Sequence, residues 1–229
     1  MKKAILLLLA VCAVFSQTFA QNCEKFVYMT NGKVVKYSST NNKGKLTTKM
    51  IYSVTAKTGN KATVQSQVFD AKDKPVTTAS VEMICAGNSL KLDMRGFVPN
   101  MGASMKGMTA KGDVSYLTYP AKMSKGQVLP EGIFNLEMYK DEQKMSTINY
   151  KIVNRTVQDM ESITTPAGTY DCYKIVYDAE MKSTTFGISI PFNMKMVEWY
   201  SDKLGLFVKS EASDKKGKLM SVTTLDSIN

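Results

Sequence analysis

The sequence predicts an all-β chain, a curved antiparallel sheet or open β-barrel of about 10–13 strands with a short Met-rich helical or irregular segment in its middle. Three observations predict it. Polar and apolar residues alternate with period two through most of the chain, turn-forming Gly residues punctuate it at hairpin spacing, and helical periodicity is confined to one short stretch.

Lys2 and Lys3 precede the apolar run 4–15, and small Ala20 follows. That pattern is a secretory signal peptide cleaved after Ala20, leaving residues 21–229 as a single all-β domain. The run falls short of the about 20 apolar residues a spanning helix needs, so the mature chain carries no transmembrane segment. Leu9-Ala10-Val11-Cys12 looks like a lipobox, but bulky Val11 precedes the Cys and the apolar run continues past it; lipidation ranks second.

Strands are expected at 24–29, 33–39, 46–56, 62–68, 79–85, 89–94, 113–119, 132–139, 145–157, 169–183, 193–201, 205–213 and 218–225. In 46–56, Leu46, Met50, Tyr52, Val54 and Ala56 fall on one face and Thr47, Lys49, Ser53 and Thr55 on the other, the mark of a strand with one wet face. Asn31-Gly32, Asn42-Lys43-Gly44, Ala167-Gly168 and Lys216-Gly217 separate the runs as hairpin turns. The stretches 39–46 and 213–219 echo each other, each turning on Lys-Gly-Lys into a Leu-led strand, a short likeness that hairpin chemistry alone can produce. Long one-sided strands must curl to bury their apolar face, which gives the curved sheet. Two stretches break the rhythm. Met101, Met105 and Met108 lie at i, i+4 and i+7 between Met94 and Lys111, a helical face weakened by Gly102, Gly107 and Gly112; the other is Pro120–Gly132.

Composition excludes much chemistry. With no His, there is no Ser-His-Asp or Cys-His activation and no His-containing metal triad. Removing the signal leaves 28 basic against 20 acidic residues, a charge of +8, nearly all of it Lys because only Arg95 and Arg155 are arginines. That argues against nucleic acid, which favours Arg forks. The lysines sit in turns, as Lys43 and Lys45, Lys72 and Lys74, and Lys215, Lys216 and Lys218; solvated turns are the plain explanation, attraction to an anionic envelope surface the sharper one. Acid neighbours such as Asp70 with Asp73 lie in turns, so a two-carboxylate hydrolase has no visible cleft, and no enzymatic activity is expected.

Tyr170, Tyr173 and Tyr177 cluster near Phe192, Trp199 and Tyr200, as core or as the lining of a ligand cavity. Met101, Met105 and Met108 are expected to act as a lid over an apolar cavity; as thioether ligands for Cu(I) they lack any His or Cys support, so no metal or cofactor is expected. Met101, Met105, Met108, Tyr173, Tyr177 and Trp199 are therefore the candidate ligand-binding residues. Of the thiols left after cleavage, Cys23, Cys85 and Cys172, a bridge would join Cys23 to Cys85 if the first strand starts beside the end of the fourth. Cys85 is also in phase with Ala79, Val81 and Met83, so a buried free thiol is an equal reading.

Thr165-Pro166-Ala167-Gly168-Thr169-Tyr170-Asp171-Cys172-Tyr173-Lys174-Ile175, then Glu198-Trp199-Tyr200-Ser201 and Gly205-Leu206-Phe207-Val208-Lys209-Ser210-Glu211, resemble the TapB-like exported proteins of Bacteroidota, a domain-of-unknown-function family. The resemblance is strongest over 145–225. It implies an all-β protein of the periplasm or cell surface of a Gram-negative bacterium and carries over no catalytic residue. The combined reading is an exported, non-enzymatic envelope protein that binds a hydrophobic small molecule or lipid in its curved sheet. The alternative is a structural or interaction module of the envelope with a filled core and a protein partner.

Overall fold

A computed structural model describes residues 22–97 and 109–229. Thirteen strands form one antiparallel sheet. They are β1 (Val34–Asn41), β2 (Leu46–Thr58), β3 (Lys61–Asp70), β4 (Pro75–Ala86), β5 (Ser89–Asp93), β6 (Thr109–Gly112), β7 (Tyr116–Pro120), β8 (Gly132–Lys140), β9 (Gln143–Thr165), β10 (Gly168–Thr185), β11 (Ile188–Ser201), β12 (Leu206–Asp214) and β13 (Leu219–Ile228). Their order across the sheet is β6-β8-β9-β10-β11-β12-β13-β1-β2-β3-β4-β5-β7. Most neighbours are also neighbours in sequence, as short hairpin links require. The exceptions are β6 with β8 and β5 with β7 at the two edges, and β13 with β1, which brings the first and last strands together in mid-sheet.

The sheet curls into a half-barrel, and chain connectivity shows how far. β6 and β7 are the two edge strands, yet only residues 113–115 join them. A link that short reaches about 14 Å at most, so the two edges must approach. They do so without pairing. Ser115 Oγ donates to the Ile133 carbonyl at 2.6 Å, and Met94 packs where a side chain on Gly132 would lie.

The inner face is the core. Alternate residues of the central strands are buried there, for example Ala62, Val64, Ser66 and Val68 of β3, and Phe134, Leu136 and Met138 of β8. Residues 24–29, expected as a strand, are instead two short 3₁₀ turns, 22–25 and Val27–Met29. The physical reason is in the pattern. Phe26, Val27, Tyr28 and Met29 are all buried, whereas an exposed-edge strand would alternate. This segment plugs the inner face instead of extending the sheet. The Val27 amide donates to the Leu204 carbonyl at 2.9 Å, Tyr28 meets Tyr52 edge-on, and Phe26 fills the space against Gly205. Gly205 stands at φ +70°, and a methyl there would overlap the Phe26 ring, so both backbone shape and packing require glycine. Cys23 is joined to Cys85 by a disulfide with a Cα–Cα distance of 5.6 Å, and Cys172 is a buried free thiol. The route to that bridge differs from the one sequence suggested, because Cys23 reaches Cys85 from beneath the sheet rather than from an adjoining strand end.

Other expectations shift at their ends. The strand expected at 113–119 is β7 alone, and β6, pairing with β8, was not anticipated. Residues 94–97 form a 3₁₀ turn, and the rest of the expected Met-rich segment lies outside the described residues until β6. β9, β10 and β11 are longer than expected and build the longest ribbon of the fold.

Candidate functional site

Two features of the inner face stand out, one closed and one open. The closed feature is a polar cluster in the packed interior. Glu198 on β11 is buried and accepts hydrogen bonds from Tyr119 Oη at 3.1 Å and Tyr177 Oη at 3.3 Å. Tyr119, on edge strand β7, stacks on Tyr200 at 4.6 Å between ring centres. Over its ring, at 4.7 Å, lies the fully buried guanidinium of Arg155. Arg155 Nη1 donates to the Thr118 carbonyl at 3.0 Å and the Pro130 carbonyl at 2.6 Å. Thr118 is on β7 and Pro130 leads into β8, so this one side chain clamps the seam between the sheet edges. Positive φ at Asn154 marks the irregularity in β9 just before it.

Burial sets the electrostatics of this cluster. Loss of water pushes the Glu198 carboxyl up from its ordinary range, against the opposing pull of the Arg155 charge and the two tyrosine hydroxyls. The Tyr119 and Tyr177 hydroxyls are pushed well up, first by burial and then by Glu198. Such an arrangement keeps its tyrosines protonated as donors. Its geometry ties β7, β9, β10 and β11 together.

The open feature is the far end of the β10–β11 hairpin. β12 ends opposite Met194, so β11 continues past it through residues 188–193 for about 20 Å. Along this stretch the inner face carries Ile188, Ile190 and Phe192, which are 68 %, 65 % and 39 % exposed. They face the same side as Met194 and Glu198 further along β11, so the apolar inner face runs on beyond the packed core. Met181 on β10 pairs with Phe192 and packs against the core, next to buried Tyr150 on β9. At the hairpin apex Phe186 is 76 % exposed at φ +49°, followed by Gly187 at φ +80°.

The sequence-derived candidates separate. Tyr173 and Tyr177 share the inner face of β10, opposite Tyr200 and Met196. Trp199 does not join them, because it alternates with Glu198 and Tyr200 and points to the other face of β11. There its indole donates to Glu161 Oε2 at 2.7 Å and lies between Lys174 and Lys209, whose Nζ atoms are 5.7 and 4.6 Å from the ring centre. It cannot line the same cavity as the tyrosines. Met101, Met105 and Met108 lie outside the described residues. Sequence reading missed Arg155 and Tyr119 because their partners are distant in the chain; the rarity of Arg, two residues in a Lys-rich protein, was the available signal. It also missed Ile188 and Ile190, whose alternation with Ser189 and Pro191 was visible but interrupted by the proline.

Elsewhere, an open groove on the surface is lined by Lys125, Thr156, Asp159, Glu161 and Lys174. Its charges already satisfy each other as Lys125–Asp159 and Lys174–Glu161 ion pairs. Among the described residues, no group of three or more acids or thiols is placed to hold a metal, and no helix is long and apolar enough to cross a membrane.

A one-sheet half-barrel with a plugged inner face defines the class of the protein, and the comparisons with known proteins give its family. The DUF3108-like family matches residues 30–225, and the chain belongs to it. The match names this family and not the TapB-like one of the resemblance. Two solved structures share the fold. A candidate lipoprotein from Parabacteroides distasonis is 23% identical, with a TM-score of 0.73 over 89% of this chain and 97% of its own. A candidate exported protein from Bacteroides fragilis, described as having a YmcC-like fold, is 22% identical, with a TM-score of 0.68 over 87% and 96%. No functionally curated protein matches the sequence.

Proposed function

We propose that this is a non-enzymatic protein of the bacterial envelope that holds an apolar or lipid-like ligand against the inner face of its curved sheet. One observation carries the reading. The inner face continues past the core as Ile190 and Phe192, 65 % and 39 % exposed, beside Met181. An apolar row that is continuous with a core yet uncovered is a surface that gains by being covered. The signal-like N-terminus, the TapB-like resemblance of 145–225 and the lipoprotein or export descriptions of the two structural relatives support the envelope location. Native mass spectrometry of the protein taken from its own envelope tests the ligand. The expected result is a lipid-mass adduct that Ile190→Ser with Phe192→Ser removes. Protein without any adduct, together with no saturable uptake of a fluorescent fatty acid, sinks the proposal.

A second reading has its own observation. Beneath β1–β4 the inner face is filled by residues 23–29, with Tyr28, Tyr37 and Tyr200 essentially inaccessible. A structural or interaction module with a filled core fits that half. It is the reading that a negative ligand experiment would leave standing.

A further inference from the structure

The Arg155 guanidinium has two edges, and the fold uses one. Nη1 makes both bonds to the seam, donating to the Thr118 and Pro130 carbonyls. Nε and Nη2 form the other edge, the fork whose two parallel N–H groups match the two oxygens of a carboxylate. Among the described residues that fork has no hydrogen-bond partner, although Arg155 is 0 % exposed. A buried cation left half-satisfied is costly, so buried charges are ordinarily paired and each unmet group calls for a cause.

The chain itself does not supply the missing anion. All its Asp and Glu residues lie within 22–97 and 109–229, so every acidic side chain has a described position. Glu198 feels the Arg155 charge, but its Oε2 is held by the Tyr119 and Tyr177 hydroxyls and its Oε1 is also without a partner among the described residues. Burial pushes that carboxyl toward its neutral form. A water molecule would satisfy the free N–H groups and leave the charge unmet.

The position of Arg155 shows what can bring a carboxylate there. Asn154 and Arg155 form the irregularity of β9 opposite Tyr177, between the Thr156–Val176 and Val153–Asp178 pairs. From there toward the hairpin end, the inner faces of β9, β10 and β11 carry Ile152 and Met194, then Tyr150, Met181 and Phe192, then Ile190. Exposure rises along this apolar track, from 6 % at Ile152 to 39 % at Phe192 and 65 % at Ile190. At its inner end Tyr177 and Met196 are only partly buried. From Met196 to Ile190 the track runs for about 20 Å, the length of a long acyl chain.

We infer that the Nε–Nη2 edge of Arg155 binds the carboxylate of a long-chain fatty acid whose tail lies along that track. The inference rests on the ligand reading above and narrows it from any apolar ligand to a carboxylic acid. The tail occupies the bare half of the inner face, and the head stands at the border of the covered half. A phosphate group also suits a guanidinium fork, but full enclosure of Arg155 favours the small, flat carboxylate over a bulky phospholipid headgroup.

Fluorescence titration with cis-parinaric acid and with its methyl ester, which share one tail, tests the headgroup in the unaltered protein. The acid should bind about tenfold to a hundredfold more tightly, the range that hydrogen bonds to a charged group supply. Arg155→Lys keeps the charge and loses the fork, and should bring the acid down to the affinity of the ester while leaving the ester unchanged. Ile190→Ser with Phe192→Ser should weaken both probes by the same factor, because it touches only the tail. Equal affinity for acid and ester overturns the headgroup assignment and leaves the apolar-ligand reading standing; no binding of either sinks both. An acid preference that survives in folded Arg155→Lys places the carboxylate elsewhere and overturns the inference. So does a native-mass adduct of phospholipid mass in place of a fatty acid. Should Arg155→Lys fail to fold, the comparison of acid with ester still decides.

Discussion

The inner face of this sheet is treated in two opposite ways. Beneath β1–β4 and the near end of β11 it is covered by the chain itself: Phe26, Val27, Tyr28 and Met29 are buried, a disulfide anchors the segment at Cys85, and Glu198, Arg155 and Tyr119 bind the seam. At the far end of β10–β11 the same face, in the same strands, is bare, with Ile188 and Ile190 about two-thirds exposed. Both regions carry alternating apolar residues, so alternation alone does not distinguish core from binding surface. What distinguishes them is whether a distant part of the chain arrives to cover the face. Residues that stabilise the fold should therefore lie in the covered half, and residues that serve a partner in the bare half.

The strongest test of that division is Arg155→Met. It removes the clamp on the Thr118 and Pro130 carbonyls and leaves Glu198 buried without its nearby cation. A loss of about 3–5 kcal/mol in urea unfolding is expected, while Ile190→Ser in the bare half should stay within about 0.5 kcal/mol. Similar effects at the two sites would erase the distinction.

Next in size is the anchor of the plug. Replacing Cys23 and Cys85 together by Ser opens a crosslink that closes 62 residues. The unfolding midpoint should fall by the equivalent of about 2–4 kcal/mol. Because Cys172 is buried, with burial and then Asp171 and Asp202 pushing its thiol up to about 12, it should neither react with alkylating agents in the native protein nor replace the lost partner. An unchanged midpoint would mean that the plug holds without its staple.

The smallest effect is a dependence on pH. Burial raises the Glu198 carboxyl above its unfolded value, so between the ordinary carboxyl range and that raised value the native state binds more protons than the unfolded one. Stability contributed by this group is present below the ordinary range and is lost as pH rises through the window. Glu198→Gln should flatten the fall in unfolding free energy as pH rises above the ordinary carboxyl range. A slope identical to that of the parent protein would show that Arg155 holds Glu198 ionised throughout.

How much of this was legible follows the range of the forces involved. β3, β4, β8, β12 and β13 could be placed closely because period two is a local consequence of the pleat, and their turns are marked by Gly or Asx residues that supply positive φ or cap amides. Residues 24–29 were misjudged because β-prone residues such as Phe26, Val27 and Tyr28 suit a strand and a buried turn equally well. Trp199 was grouped with Tyr173 and Tyr177 on nearness in sequence, whereas strand parity sends it to the other face. The bare hairpin end was undercounted because Pro191 reads as a strand breaker, and only the absence of a β12 neighbour makes it harmless.

The sequence by itself therefore determined the all-β architecture, the hairpin turns and the uneven supply of lysine over arginine, since each depends on residues within one hairpin. Only the tertiary structure decided which half of the inner face is plugged, that Arg155 closes the seam, and that the same side chain stands at the inner end of the apolar track on β10 and β11. Those outcomes depend on strand order, above all on β13 pairing with β1. That pairing joins segments about 190 residues apart, at a separation where loop-closure entropy varies too slowly with length for local sequence to indicate the partner.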